Sequence, residues 1–264
     1  MRFWGFVLAL LCTAAFGQQE GVEVKKSRLL LLPASTVERG AAQQYGQLMR
    51  AAAQKSALNV DKMQTERLRN IARALIPHST RFNQDAAKWR WDVNLISSKT
   101  VNAFCMPGGK IAFFTGIIDQ LQLTDDEVAV IMGHEIGHAL LEHGRARMSE
   151  QVLKNVGISI AAAVFNLGQI SAELMAQAAN LAVSLPYARK HESDADLVGM
   201  ELAARAGYDP RAAVAVWQKM SKLSQAAGKG QPPQFLSTHP SHESRIKEIE
   251  ANLPKVLPLY RKQP

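Results

Sequence analysis

Disulfide chemistry is closed to this chain. Only two cysteines occur in 264 residues, Cys12 and Cys105. The first lies in a segment that reads as a removable leader, so no internal bridge can staple the mature fold. Cys12 does not mark lipid attachment either, because Leu11 before it is bulkier than such signals want. Aromatic residues make up only 6%, and the basic residues are scattered rather than interleaved with them. Nucleic-acid binding is therefore without support. No apolar run reaches the roughly 20 residues that a membrane-crossing helix needs. Phe3 to Phe16 is too short, and Val156 to Leu167 is interrupted by Ser159 and Asn166. Internal repeats and low-complexity tracts are missing as well.

What is present is an ordinary globular mixture, 47% hydrophobic and 20% charged, in a length that suits one sizeable domain. Arg2, the apolar run Phe3 to Phe16 and the small residues Ala15 and Gly17 predict a signal peptide over 1–17, cleaved before Gln18. An uncleaved anchor is the alternative. Residues 18–37 read as a leader or linker and 38–264 as a single domain. Loss of Arg2 would lower the net charge from +8 to +7. This excess is compatible with peripheral association with an anionic membrane.

The expected class is α+β, mostly helical with a small sheet. Glu38 to Ile76 is rich in helix formers, with Leu68, Ile71, Ala72 and Leu75 at helical spacing before Pro77. Trp89 to Ile96 alternates as a half-buried strand, and Val101 to Phe104 and Lys110 to Phe114 flank a Pro107-Gly108-Gly109 turn. Thr124 with Glu127 forms a capping-box pattern opening an apolar helix that Gly144 can close. A second helical block is expected over Val152 to Leu185, and a third over Lys190 to Ala206. A last helix carries Pro240 in its first turn and reaches Leu253.

The chemistry centres on His134-Glu135-Ile136-Gly137-His138. An H-E-x-x-H pattern on a helix puts both imidazoles on one face, where they can share one ion. Zinc suits neutral imidazoles and takes three protein ligands in catalytic sites. Ile131, Met132, Ile136, Ala139 and Leu140 make the helix apolar nearly all round, so these polar residues are buried and need a strong partner. A metzincin would require Gly at 141 and His at 144, where this chain has Leu141 and Gly144. His143 is one residue off and is expected to cap carbonyls or face solvent. The third ligand is instead sought at Glu192, with Asp196 on the same helix face accepting a hydrogen bond from His134. Gly199 continues that face and permits close helix approach.

These blocks together resemble the M48 metallopeptidases (the Ste24, HtpX and Oma1 types), and the short form resembles their secreted bacterial soluble members. The resemblance runs from about Trp91 to Leu253. It rests on Asn102-Ala103-Phe104 with Pro107-Gly108-Gly109-Lys110-Ile111, on the His134 block, on Glu192-Ser193-Asp194-Ala195-Asp196 with Ala206-Gly207-Tyr208-Asp209-Pro210, and on Ser237-Thr238-His239-Pro240 with Arg245-Ile246. It implies a gluzincin-like zinc metalloendopeptidase holding one Zn2+ per chain on His134, His138 and Glu192. Glu135 would be the general base, acting on water at the metal, and His239 a donor to the oxyanion. Asn102, Ala103, Phe104, Gly108, Gly109, Lys110 and Ile111 are the expected substrate residues. Lys110 to Phe114 would be an edge strand pairing with an extended substrate. Unfolded or damaged polypeptides of the cell envelope or periplasm are the expected partners. A metal-retaining chaperone is disfavoured by the intact Glu135. A deformylase-like hydrolase would need Cys105 as third ligand, which Glu192 makes unnecessary.

Overall fold

The computed structural model of the chain describes residues 21–27, 29–156, 188–226, 232–240 and 243–261. The expected signal peptide and most of the helical block expected over 152–185 lie outside the described residues.

Helix α1 (Ala34–Gln54) buries Val37, Ala41, Tyr45, Met49 and Ala52, one per turn, and all but the first of these pack on the sheet. Helix α2 (Lys62–Leu75) is capped by Asp61, whose carboxylate accepts from the Gln64 N–H at 2.9 Å. The tract expected as continuous helix is thus broken at 55–61. Ser56 and Asn59 adopt left-handed backbone there (φ 52° each), and Leu58 bridges to Ile96.

The sheet contains β1 (Asp92–Ile96), β2 (Ala103–Met106) and β3 (Lys110–Phe114) in the order β1-β3-β2. Strand β3 is therefore central, not the edge strand that the sequence suggests. The Pro107–Gly109 turn, with Gly108 and Gly109 at φ 80° and 77°, folds β2 back antiparallel onto β3. The longer connection from β1 lets it pair parallel on the other side. The outer edge of β1 is covered by the 57–59 segment, through Asn59 N–H to Leu95 O at 2.8 Å and Ser97 N–H to Ala57 O at 2.8 Å. Phe104, Met106 and Ala112 face α1, whereas Ala103, Cys105, Ile111 and Phe113 join the main core with α2.

After α3 (Thr115–Leu121), α4 (Asp125–Leu140) opens on the expected capping box, with both reciprocal bonds formed. It closes earlier than Gly144. Glu142 takes left-handed backbone (φ 58°), and α5 (His143–Val156) starts at once. Helix α6 (Arg189–Arg205) packs against α4 across glycines: a Cβ at Gly199 would sit 2.6 Å from the His134 backbone nitrogen, and one at Gly133 would sit 2.8 Å from Gly199 O. Helices α7 (Ala212–Ala226), α8 (Gln234–Thr238) and α9 (Glu243–Val256) follow. His239 and Pro240 lie after the end of α8 and before α9, so Pro240 is not in the first turn of the last helix as the sequence suggests.

The residues before α1 are laid onto the domain. Val22 is buried in the main core, and its N–H donates to the buried Glu201 carboxylate at 2.6 Å. Arg205 pairs with the same carboxylate at 2.7 Å, and Arg81 pairs with it too. Leu31 N–H donates to Ser149 Oγ at 3.0 Å, and Ser27 N–H to Leu141 O at 3.4 Å.

The glycine contact between α4 and α6 is testable. Gly199→Ala must push its Cβ into main chain, which cannot yield as a side-chain tip would, so a loss of about 2 kcal/mol is expected. For a domain of this size that is roughly 4–8 °C in Tm. Gly46→Ala, in α1, meets only the Arg50 Nη1 at 3.4 Å and should hold or raise Tm, because alanine is the better helix residue. Equal Tm changes for the two variants in a thermal melt would refute the close-approach account.

Candidate metal centre

Helix α4 is buried from Glu127 through Leu140, so its polar residues can be satisfied only by what packs on it. Helix α6 answers with Glu192 and Asp196, both buried. His134 Nε2 and His138 Nε2 lie 3.1 Å apart. Glu192 Oε2 stands 3.6 Å from His134 Nε2, and its Oε1 stands 3.4 Å from His138 Nε2. His239 Nδ1 is 3.3 Å from His134 Nε2 and 3.1 Å from Glu192 Oε1. One ligating atom from each of His134, His138, Glu192 and His239 falls within 4.8 Å of all the others.

Zinc fits this donor set. Ligands 2.0–2.1 Å from a tetrahedral ion lie roughly 3.3–3.4 Å from one another, close to the spacing found here. The far nitrogen of His134, Nδ1, is 2.9 Å from Asp196 Oδ1. It donates there, which leaves the Nε2 lone pair aimed into the cluster. Charge points the same way. Glu135, Glu192 and Asp196 are all buried, and one guanidinium, that of Arg245, is salt-bridged to the last two. Two negative charges remain, as many as one divalent cation balances.

The ionisation of the cluster reflects that surplus. Burial pushes the Glu135 carboxyl up. Burial alone would also raise Glu192, but His239 and hydrogen bonds from His138 and His239 outweigh it and hold Glu192 well below its usual range. Burial holds His138 well below its ordinary value. For His239 burial works downward, yet Glu135 and Glu192 win and draw it up. Glu135 accepts the Cys105 backbone N–H, while its Oε1 has no hydrogen-bond partner among the described residues. His239 Nε2 stands 3.4 Å from that oxygen.

Arg245, from the late Arg245-Ile246 block, ties these parts together. It donates from Nε and Nη2 to Asp196 at 2.8 and 2.7 Å, and from Nη1 to Glu192 Oε2 at 2.6 Å. Nη1 also reaches Pro240 O at 3.1 Å, and the guanidinium lies 3.6 Å over the Trp217 ring. Its role becomes visible only when α9 folds against α6. His143 departs from expectation altogether. It does not face solvent but is fully buried, with Nδ1 3.0 Å from His138 Nδ1. On a continuous helix two residues five apart diverge by roughly 140°. The left-handed turn at Glu142 brings them together.

The expected substrate residues divide. Asn102, Ala103 and Phe104 line a cleft with Cys105, Glu135 and His239. Lys110 and Ile111 belong to the central strand, and Gly108 and Gly109 form its entry turn, beside Glu38 and Trp91. The strand bordering the cleft is therefore β2. Cys105 is buried, and desolvation with the nearby Glu135 pushes its thiol well above the ordinary value, as for an inert core residue.

The chain is similar to known proteins across the part that builds this cluster. Peptidase family M48 matches residues 62–253, which include every residue of the cluster. The mitochondrial metalloendopeptidase OMA1 of Arabidopsis thaliana is 39% identical over 173 residues, 65% of this chain and 34% of its own length. The Bos taurus OMA1 metalloendopeptidase is 30% identical over 196 residues, 70% of this chain and 37% of its own. The beta-barrel assembly-enhancing protease of Escherichia coli O157:H7 is 25% identical over 210 residues, 75% of this chain and 41% of its own. The chain thus spans between about a third and two fifths of the length of these curated relatives. With a family match over well more than half of its residues, the chain belongs to peptidase family M48.

Proposed function

We propose that this chain is a zinc-dependent endopeptidase that cleaves extended segments of unfolded or damaged polypeptides. The observation that carries the reading is the convergence of His134, His138 and Glu192 beside a buried Glu135 whose Oε1 makes no hydrogen bond among the described residues, next to the cleft that β2 borders. The relatives' names, metalloendopeptidase and protease, support the same activity.

The chemistry a bound zinc supplies is Lewis-acid polarisation of water and of the scissile carbonyl. His134, His138 and Glu192 would hold it. Glu135 accepts the proton of the attacking water at Oε1 and returns it to the leaving amine, for which its raised pKa suits it. Its other contact, the Cys105 N–H, fixes the carboxylate to the edge strand and so to whatever that strand binds. Phe114 N–H donates to Asn102 O at 3.1 Å. Antiparallel alternation then turns the main-chain groups of Ala103 and Cys105 away from β3, toward the cleft. A substrate adding there is read by its backbone, which favours breadth over sequence preference.

Purified protein should hold about one zinc per chain by elemental analysis, and a His138→Ala, Glu192→Ala double variant should hold none. Glu135→Gln should keep the metal and the fold yet lose casein cleavage by at least about 10²-fold, the lower range for a positioned acid–base group. Metal retained in the double variant, or activity within a few fold in Glu135→Gln, would overturn the assignment.

His239 has two geometric options, because its Nδ1 occupies the corner that a catalytic zinc site keeps open. We assign it to oxyanion stabilisation. On that assignment His239→Ala lowers kcat by roughly 10²–10³-fold with little change in KM, and zinc content is unchanged. Loss of zinc in this variant would make it a ligand instead.

The N-terminal sequence is assigned to export, with envelope polypeptides as substrates. Intact-mass analysis of protein from its native host should give a chain starting at Gln18. A retained Met1–Gly17 segment would favour the anchor.

A further inference from the structure

We propose that His143 is the positioning residue of His138: its Nδ1 accepts the His138 Nδ1–H and so fixes which nitrogen of His138 faces the metal. This rests on the zinc reading above and extends it to a residue that no ligand motif contains.

The argument is one of forced proton placement. His138 turns Nε2 toward His134 and Glu192, so Nε2 is the atom that can ligate. A neutral imidazole ligating through Nε2 carries its proton on Nδ1. That atom lies 3.0 Å from His143 Nδ1, and two ring nitrogens at this distance share one proton. His143 must then accept through Nδ1 and carry its own proton on Nε2. The His143 ring has little freedom to do otherwise. It is fully buried, and it stacks on His191 with centroids 4.1 Å apart and planes 15° apart. His191 Nε2 lies 3.3 Å from Ser27 Oγ, in the segment laid down before α1.

The two imidazole ligands are thereby held by unlike partners. His134 donates to a carboxylate, Asp196, which Arg245 neutralises. His138 donates to an imidazole that brings no charge. A carboxylate at position 143 would add a further buried negative charge to a centre that one divalent ion and Arg245 already balance. A neutral acceptor avoids that cost.

Three full-length proteins decide the matter: wild type, His143→Phe and His143→Asn. Phenylalanine keeps a ring against His191 but cannot accept, whereas the Asn Oδ1 falls near the position of the histidine Nδ1. Zinc affinity is read by competition with a chromophoric chelator. His143→Phe should weaken it by roughly 10–100-fold, the usual cost of losing such an outer partner, and His143→Asn should remain within a few fold of wild type. Equal affinity in wild type and His143→Phe overturns the proposal, as does an equal loss in both variants, which is what a purely structural role gives. Histidine 15N NMR of the zinc-loaded wild type supplies a check that does not depend on either variant folding. His138 should be protonated at Nδ1 and His143 at Nε2 alone; a proton on His143 Nδ1 refutes the assignment. If wild type binds no zinc, both this proposal and the function reading fall. If wild type binds zinc but His143→Phe binds it equally well, only this one does.

Discussion

Burying Glu135, Glu192 and Asp196 around two histidines is costly unless every charge finds an opposite. That demand organises the molecule around the cluster. Arg245 spans both α6 carboxylates and the Pro240 carbonyl, so α9, α6 and the link after α8 are joined through one guanidinium. Trp217 on α7 supports it with its ring face and donates its own Nε1–H to Asp196 at 3.3 Å. Residues of α6, α7, α9 and the link that precedes α9 therefore meet at a single cation. The remaining negative charge is what makes a divalent metal the natural occupant of the adjacent cluster.

Distance is the second requirement. A carboxylate on α6 reaches imidazoles on α4 only if the two backbones lie unusually close, and the glycines at 133, 137 and 199 permit this. The sheet contributes orientation rather than charge. With the outer edge of β1 covered by residues 57–59 and β3 enclosed, β2 is the strand that borders the cleft. Its Cys105 N–H donates to Glu135, which ties the buried carboxylate of α4 to the sheet.

Much of this is legible in the sequence because it is written at short spacing. The i, i+4 placement of His134 with His138 and of Glu192 with Asp196, the Thr124–Glu127 capping box and the close-approach Gly199 are all local patterns, and the structure has the corresponding contacts. Strand order is not legible. Pairing of β1 with β3 depends on a crossover that no local pattern records, and so the sequence points to an edge one strand too far along. His143 escapes for a related reason: helical spacing places it away from His138, and only the left-handed Glu142 reverses that. Arg245 stands in a recognisable block, but its partners lie about fifty residues earlier.

The Val22–Glu201 hydrogen bond spans 179 residues, a separation that sets the timing of assembly. A chain emerging from its amino end presents the segment before α1 first, yet the carboxylate that receives it arrives only with α6. The guanidinium that neutralises the α6 carboxylates comes later still, in α9. Contacts of such long sequence separation close late in folding. The emerging polypeptide thus carries the two imidazoles of α4 well before the arginine that offsets their carboxylate neighbours, so the cluster is a product of the finished fold rather than a seed for it.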